Sequence, residues 1–202
     1  MQMGTAAMAN IVKSRQQGFS LIEVLVTLVI TLIGLLGLAG IMVQAHIAEL
    51  ESYQRAQALI LIQDMLDKIS INRTVSTCYA KTGTGGTPFF GTSGGATTDC
   101  SAGSPNQQAR ATADMVDWGN ALNGNSESLG GNSVGSIIGA RGCVVLEDAV
   151  NQIYRVSVAW QGKVATVSPT TMNANYTCAA NQYGNDAQRR LVTATIRIGK
   201  LG

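Results

Sequence analysis

RQQGFSLIEVLVTLVI, Arg15 to Ile30, decides how the rest of the chain is read. Two cations, Lys13 and Arg15, precede a Gly18-Phe19 step, and Glu23 stands four residues further on, at the edge of an oily run. From Val24 to Val43 (VLVTLVITLIGLLGLAGIMV) no residue is charged. At about 1.5 Å per residue this stretch is long enough to cross a hydrocarbon core of ~30 Å as a helix. A cleaved secretory signal has a shorter apolar region, ~7–15 residues, followed by a small-residue cleavage site. No such site follows here, so the segment is expected to stay in the mature protein. The cations ahead of it orient the N-terminus towards the cytoplasm and the rest of the chain towards the opposite compartment.

Glu23 needs an explanation, because an ionisable side chain in a membrane segment is costly and marks a partner or a function. One reading is a carboxylate solvated at the headgroup level. The other supplies a cation. Cleavage after Gly18 would free the α-amino group of Phe19, and positions four apart share a helix face. That amine can meet Glu23 within one chain, or between chains packed side by side with an axial shift.

GFSLIEVLVTLVI resembles the N-terminal signature of type IV prepilins and of the pseudopilins of type II secretion. The resemblance covers Lys13 to Val43: basic leader, glycine, phenylalanine, glutamate at a fixed offset, uncharged span. It implies cleavage between Gly18 and Phe19 by a prepilin peptidase/methyltransferase and N-methylation of Phe19. It also implies that Glu23 guides assembly by meeting the N-terminal amine of a neighbouring subunit. The leader is residues 1–18, although Met8 is an alternative start. Inner-membrane residence precedes assembly, with a cytoplasmic N-terminus and a periplasmic head, and an extracellular pilus is the destination.

Composition agrees with a subunit of an assembly. Charged residues make up 13% of the 202-residue chain, and the net charge is +2. Without Lys13 and Arg15, twelve cationic and twelve anionic side chains remain. That balance offers no basic face for nucleic acid and favours association. Of the four cysteines, Cys78, Cys100, Cys143 and Cys178, none forms a CxxC pair, and His46 is the only histidine. Zinc is therefore not expected, and no cofactor is. An even count behind an export signal favours disulfides. Three connectivities are open, and nearest-neighbour pairing, Cys78 with Cys100 and Cys143 with Cys178, is the expected one.

Helical periodicity continues past the apolar span. Ile47, Leu50, Tyr53, Ala58, Leu61, Ile62, Met65, Leu66 and Ile69 recur at three- and four-residue spacing. Glu49, Glu51, Gln54, Arg55, Asp64, Asp67 and Lys68 fall largely off that face. With no proline from Phe19 to Asn72, one helix is expected, 19–43 as membrane and assembly segment and 44–73 as its amphipathic half. Gly34, Gly37 and Gly40 dilute the first half; small residues there also permit close helix approach in membranes.

A globular head is expected over 74–202. Residues 74–135 are rich in Gly, Ser, Thr and Asn and read as loops, with no phosphate-binding glycine pattern. Asp114–Leu122 (DMVDWGNAL) reads as a short helix with Trp118 on its core face; a carbohydrate-stacking role for Trp118 is the weaker alternative. An antiparallel sheet of three or four strands is expected within 141–198. Its strands are CVVL at Cys143–Leu146, IYRVSVAW at Ile153–Trp160 and LVTATIRI at Leu191–Ile198. Tyr154, Val156, Val158 and Trp160 share one face, as do Val192, Ala194, Ile196 and Ile198. The fold class is α+β, and the resemblance implies the type IV pilin fold, a long helix packed on an antiparallel sheet.

The head also resembles, more loosely, the minor pilins called PilV, or type IV pilus modification proteins. The residues that carry this likeness are the DMVDWGNAL segment, the first strand with its cysteine, and YRVSVAWQG. It implies a low-abundance structural subunit that joins other minor pilins and the major pilin, primes assembly and sits at the fibre tip. A type II secretion pseudopilin and a tip adhesin are the alternatives. The Cys78–Cys100 loop holds Phe89 and Phe90 but only Lys81 as a cation, which discourages DNA binding. An enzyme is not expected: the lone histidine lies beside the span, so no Ser-His-Asp set can form in the head. Asp114 and Asp117 read as a solvated helix face rather than a catalytic carboxylate pair, and Glu147 with Asp148 leaves calcium merely open.

Overall fold

A single helix, α1, runs from Leu21 to Ile71 and takes in both the uncharged run and the amphipathic stretch after it. The computed structural model describes residues 18–125 and 137–199, together with the backbone of two short strands at 128–129 and 132–133. The leader residues 1–17, parts of the glycine-rich region and residues 200–202 lie outside the described residues. The chain divides into two compact units, residues 1–45 and 46–202.

In the first unit the helix shows its apolar side chains on every side, and all of residues 21–45 are exposed. Its backbone is internally bonded, as an apolar surrounding demands. The hydroxyls of Thr27 and Thr31 donate to Val24 O (2.8 Å) and Thr27 O (2.7 Å). These side-chain donors are thereby satisfied within the helix itself.

The second unit is the head. After α1 come a 3-10 turn at Arg73–Cys78 and strand β1 at Phe90–Gly91, then helix α2 at Pro105–Leu122 and the strands β2 (Ser128–Leu129) and β3 (Asn132–Ser133). Strand β4 (Arg141–Asp148), strand β5 (Ile153–Gln161), helix α3 (Pro169–Met172) and strand β6 (Arg189–Arg197) complete it. The main sheet is antiparallel in the order β1-β4-β5-β6, and β2 pairs with β3 in a separate ribbon. This is an α+β, type IV pilin-like architecture.

One face of the sheet carries Val144, Tyr154, Val156, Val158 and Trp160 against Ala58, Ile62, Met65 and Ile69 of α1 and Met115, Trp118 and Leu122 of α2. Period-two strands and period-3.6 helices thus meet in one core. The other face holds a second cluster of Phe89, Cys143, Ala159, Cys178, Ala179 and Tyr183. Arg155 and Ser157 are consequently buried as well, and Arg155 is paired with Glu147 at 2.5 Å.

Three expectations need correction. The buried stripe of α1 is Gln54, Ala58, Ile62, Met65 and Ile69, whereas Leu50 and Tyr53 are exposed. Periodicity shows which residues share a face, but here both sides of the helix carry apolar residues, and Leu59 and Ile60 are exposed too. Only the sheet decides which side is covered.

Helix α2 begins nine residues before Asp114. Ser104 opens it with a capping box: the Ser104 backbone N–H donates to Gln107 Oε1 at 2.9 Å, and Pro105 follows at the first helical position. Third, Asp114 is buried, not solvated. It accepts hydrogen bonds from the Tyr79 hydroxyl (2.7 Å) and from Arg110 Nε (2.9 Å), which lets a carboxylate sit inside. The strands also extend a little past the expected limits, and Ile198, just beyond β6, is buried.

Gly142 marks a tight approach of α2 to the sheet. A Cβ there would lie 2.3 Å from the Trp118 ring and 2.6 Å from Leu122. Phe90, opposite Gly142 in the ladder, meets the Trp118 ring edge-on with centroids 5.5 Å apart. The indole Nε1 of Trp118 donates to Leu61 O at 2.8 Å, tying α2 to α1. Trp118 is therefore a core side chain.

Candidate functional site

The N-terminal segment is built by its own helix. Ser20 O accepts the first backbone bonds, from Glu23 N (3.0 Å) and Val24 N (3.3 Å), so the helix starts just after Phe19. Gly18 and Phe19 precede it, and Phe19 is 84% exposed. Glu23 lies in the first turn, where a carboxylate also complements the helix dipole. It is exposed and has no ion-pair partner among the described residues. The segment offers one carboxylate in the first turn of an apolar cylinder. By length and composition α1 can cross a membrane: its best window has a mean hydropathy of 2.7 and no buried residue.

In the head, the cysteines form two disulfides, Cys78–Cys100 and Cys143–Cys178, and no described cysteine is free. The first closes the loop that leads from the 3-10 turn towards α2. The second pins the segment before β6 onto β4. Gly86, in the first loop, lies against that segment with φ +82°, and a Cβ on it would meet Thr177 O at 1.9 Å. Ala179 N donates to Gly86 O at 3.1 Å, so backbones touch there. Such an approach requires glycine.

Several side chains that sequence reasoning passed over hold the head together. Arg189 is fully buried. It donates to both oxygens of Asp186 (2.7 and 3.0 Å), to Tyr176 O (2.9 Å) and to Cys178 O (3.1 Å). These bonds hold the Asp186 carboxyl well below the usual carboxylate range; Ser168 Oγ also donates to Asp186 Oδ2. Arg141 lies over the rings of Tyr183 (4.4 Å to the centroid) and Phe89 (5.3 Å). Burial pushes the Tyr183 phenol up to about 12, with Arg141 pulling the other way. Tyr79 is raised further, by burial first and then by its bond to Asp114. No local sequence pattern marks these contacts, because each joins residues distant in the chain or hidden in a loop.

None of these groups forms a catalytic arrangement. Asp114 is spoken for by Tyr79 and Arg110, while Asp117 is exposed on the same helix. Among the described residues no three His, Cys, Asp or Glu side chains group as metal ligands. His46 lies on the helix surface 3.6 Å from Glu49. Lys81 pairs with Asp99 at 3.5 Å.

Residues 13–39 match the family model of the prokaryotic N-terminal methylation motif. No curated protein and no solved structure matches the chain. The motif supports a type IV pilin-like prepilin, of the pilin or pseudopilin kind, and it indicates a structural subunit rather than an enzyme. The apolar helix and the motif together fit inner-membrane anchoring and a pilus.

Proposed function

We propose that the protein is a minor type IV pilin, similar to the PilV group, and serves as a low-abundance structural subunit. The observation that carries this reading is Glu23: a lone carboxylate in the first turn of an exposed apolar helix, within a matched methylation motif. In this reading residues 1–18 are the leader, removed between Gly18 and Phe19 on the cytoplasmic side, and Phe19 is methylated. Residues 19–43 hold the chain in the inner membrane, and residues 44–73 carry the helix into a periplasmic head spanning 74–202. Glu23 then neutralises the N-terminal amine of a neighbouring subunit. In apolar surroundings such a pairing is worth far more than at an exposed surface. Other minor pilins and the major pilin are the partners, and the subunit primes assembly and sits at the fibre tip.

The head supports this role by its build. Its two disulfides suit an oxidising compartment, and its core is filled by its own side chains rather than arranged around a reactive site. The test is mass spectrometry of the N-terminal peptide from filaments sheared off native cells. A peptide that begins at methylated Phe19 is expected. Processed chain found only in membranes would favour a secretion pseudopilin or a priming role without incorporation. An uncut N-terminus would overturn the reading. Glu23→Ala is expected to leave the chain in the membrane and cut its share of filaments; normal incorporation would remove the role given to the carboxylate.

A further inference from the structure

The two edges of the main sheet end differently. Strand β1 is two residues long, and the loop after it turns back, with Ala96 N donating to Phe89 O at 3.1 Å. Strand β6 is nine residues long and forms the opposite edge. Its register against β5 runs without a bulge from Arg189 to Arg197, and it holds no proline and no lysine. Natural sheets blunt their exposed edges with such features, because a row of free N–H and C=O groups is a template for another strand.

The ladder shows which groups are free. Ile198 N donates to Gln152 O (3.0 Å) and Gly162 N to Gln188 O (2.8 Å), and both pairs keep the β5–β6 register. Bonding alternates along an antiparallel pair, so the even residues of β6 turn their N–H and C=O to β5 and the odd ones turn theirs outward. Among the described residues no main-chain group bonds the outward groups of Leu191, Thr193, Thr195 and Arg197. The core is open along the same line. Val192, Ala194 and Ile196 pack on it but are only half-buried. At the start of β6 an open cleft of ≈ 340 Å³ is lined by Ser52 and Arg55 of α1 and by Arg190 and Leu191. Helical spacing puts Leu59, 48% exposed, on the same side of α1 as Ser52 and Arg55.

We propose that an extended strand of a different subunit pairs with β6 and becomes the fifth strand of this sheet, an inference that rests on the pilin reading above. Free main-chain groups at strand spacing specify an extended chain rather than a helix or a small ligand. The half-buried Val192, Ala194 and Ile196 call for apolar side chains at alternate positions on one face of that strand. The charged side chains of β6 are all arginines, Arg189, Arg190 and Arg197, so the incoming strand carries an acidic residue. The same charges oppose a second copy. Antiparallel self-pairing about Thr193 would set Arg190 of each chain opposite Ile196 and next to Arg197 of the other.

The test uses the full-length chain. In native cells, the share of processed chain in sheared filaments is compared for the wild type, Thr195→Pro and Thr195→Ala. Proline at 195 removes an outward N–H and leaves the bonds of β6 to β5 in place. Thr195→Pro is expected to be processed normally but to fall about tenfold or more in filaments, with Thr195→Ala close to the wild type. Equal incorporation of Thr195→Pro, or an equal loss in Thr195→Ala, would overturn strand addition and leave the pilin reading standing. A wild-type chain that is never processed would overturn both. Arg197→Glu should lower incorporation, and an unchanged or raised share would overturn the acidic partner strand.

Hydrogen exchange on the wild type needs no variant to fold. In the detergent-extracted chain the amides of Thr193 and Thr195 should exchange freely, while those of Val192 and Ala194 are protected by β5. In sheared filaments the Thr193 and Thr195 amides should slow about tenfold or more. Unchanged exchange there would overturn the proposal. A dimer of the detergent-extracted chain with these two amides already protected would assign the edge to a second copy and overturn the foreign strand.

Discussion

The two ends of α1 are one helix with two kinds of stability. Residues 21–45 owe their form to local rules: their backbone bonds run within α1 itself, the side chains are mostly apolar, and none is buried in the chain itself. Residues 54–69 owe their place to the sheet, which buries Ala58, Ile62, Met65 and Ile69 almost completely. The first stretch is made for surroundings that the chain does not provide. The second is a piece of a core. A substitution should therefore act on assembly or membrane residence in one half and on folding in the other.

The largest effect should come from the centre of the head. Trp118→Ala removes the side chain that joins α2, β1, β4 and Leu61, and should cost about 3–5 kcal/mol in denaturant unfolding of the detergent-solubilised chain. Gly142→Val attacks the same contact by overfilling it, at about 1–3 kcal/mol. A smaller loss for Trp118→Ala than for Gly142→Val would place the centre of the core elsewhere.

Removing the Cys143–Cys178 bridge by paired alanines should cost about 3–4 kcal/mol, because its ends are 35 residues apart and the unfolded loop regains its freedom. The same measurement on Cys78–Cys100, with 22 residues between its ends, should give slightly less. Equal stability with and without either bridge would show that packing alone orders these loops.

The sharpest test of the comparison uses neighbours on α1. Ile62→Ala, at a buried site, should cost about 2–5 kcal/mol, and Ile60→Ala, at a site 60% exposed, should change stability by less than about 0.5 kcal/mol. Leu28→Ala in the apolar half should leave head unfolding unchanged. A shift of the head transition by Leu28→Ala would break the division between the halves.

Stability should also depend on pH in two outer windows. The folded Asp186 carboxyl is depressed by Arg189, so its contribution is present above the unfolded value of about 4 and is lost as pH falls below it. Tyr183 and Tyr79 are raised above the unfolded value of about 10, so their contribution is complete below pH ~10 and is lost as pH rises from there towards 12. Urea unfolding across pH should show a plateau between these windows. Tyr183→Phe should flatten the alkaline fall, and an unaltered fall would assign it to other groups.

Much of the fold was legible because its signals are local. Helix α1 shows as an uncharged run followed by three- and four-residue spacing without proline. Strands β5 and β6 show as alternation, with Tyr154, Val156 and Val158 indeed sharing the core face. The early start of α2 also had a local mark, Ser104-Pro105 with Gln107, which the polar run after it (QQARATA) obscured. Gln54, Asp114 and Arg189 were not legible. Each is polar and sits inside because of partners or walls brought from elsewhere: Tyr79 for Asp114, and the backbone of Tyr176 and Cys178 for Arg189.

By itself the sequence determined the apolar helix, the place of Glu23 in its first turn, the methylation motif and the α+β class. These depend on composition, fixed offsets and periods of two and 3.6, which a chain carries before it folds. Tertiary structure alone decided which side of α1 is covered, which polar groups are enclosed, and how a second apolar layer forms behind the sheet. It also brought Arg55 of the helix and Trp160 of β5 to the wall of one cleft. Those outcomes come from contacts across tens of residues of chain, where packing and the need to satisfy every buried polar group override local preference.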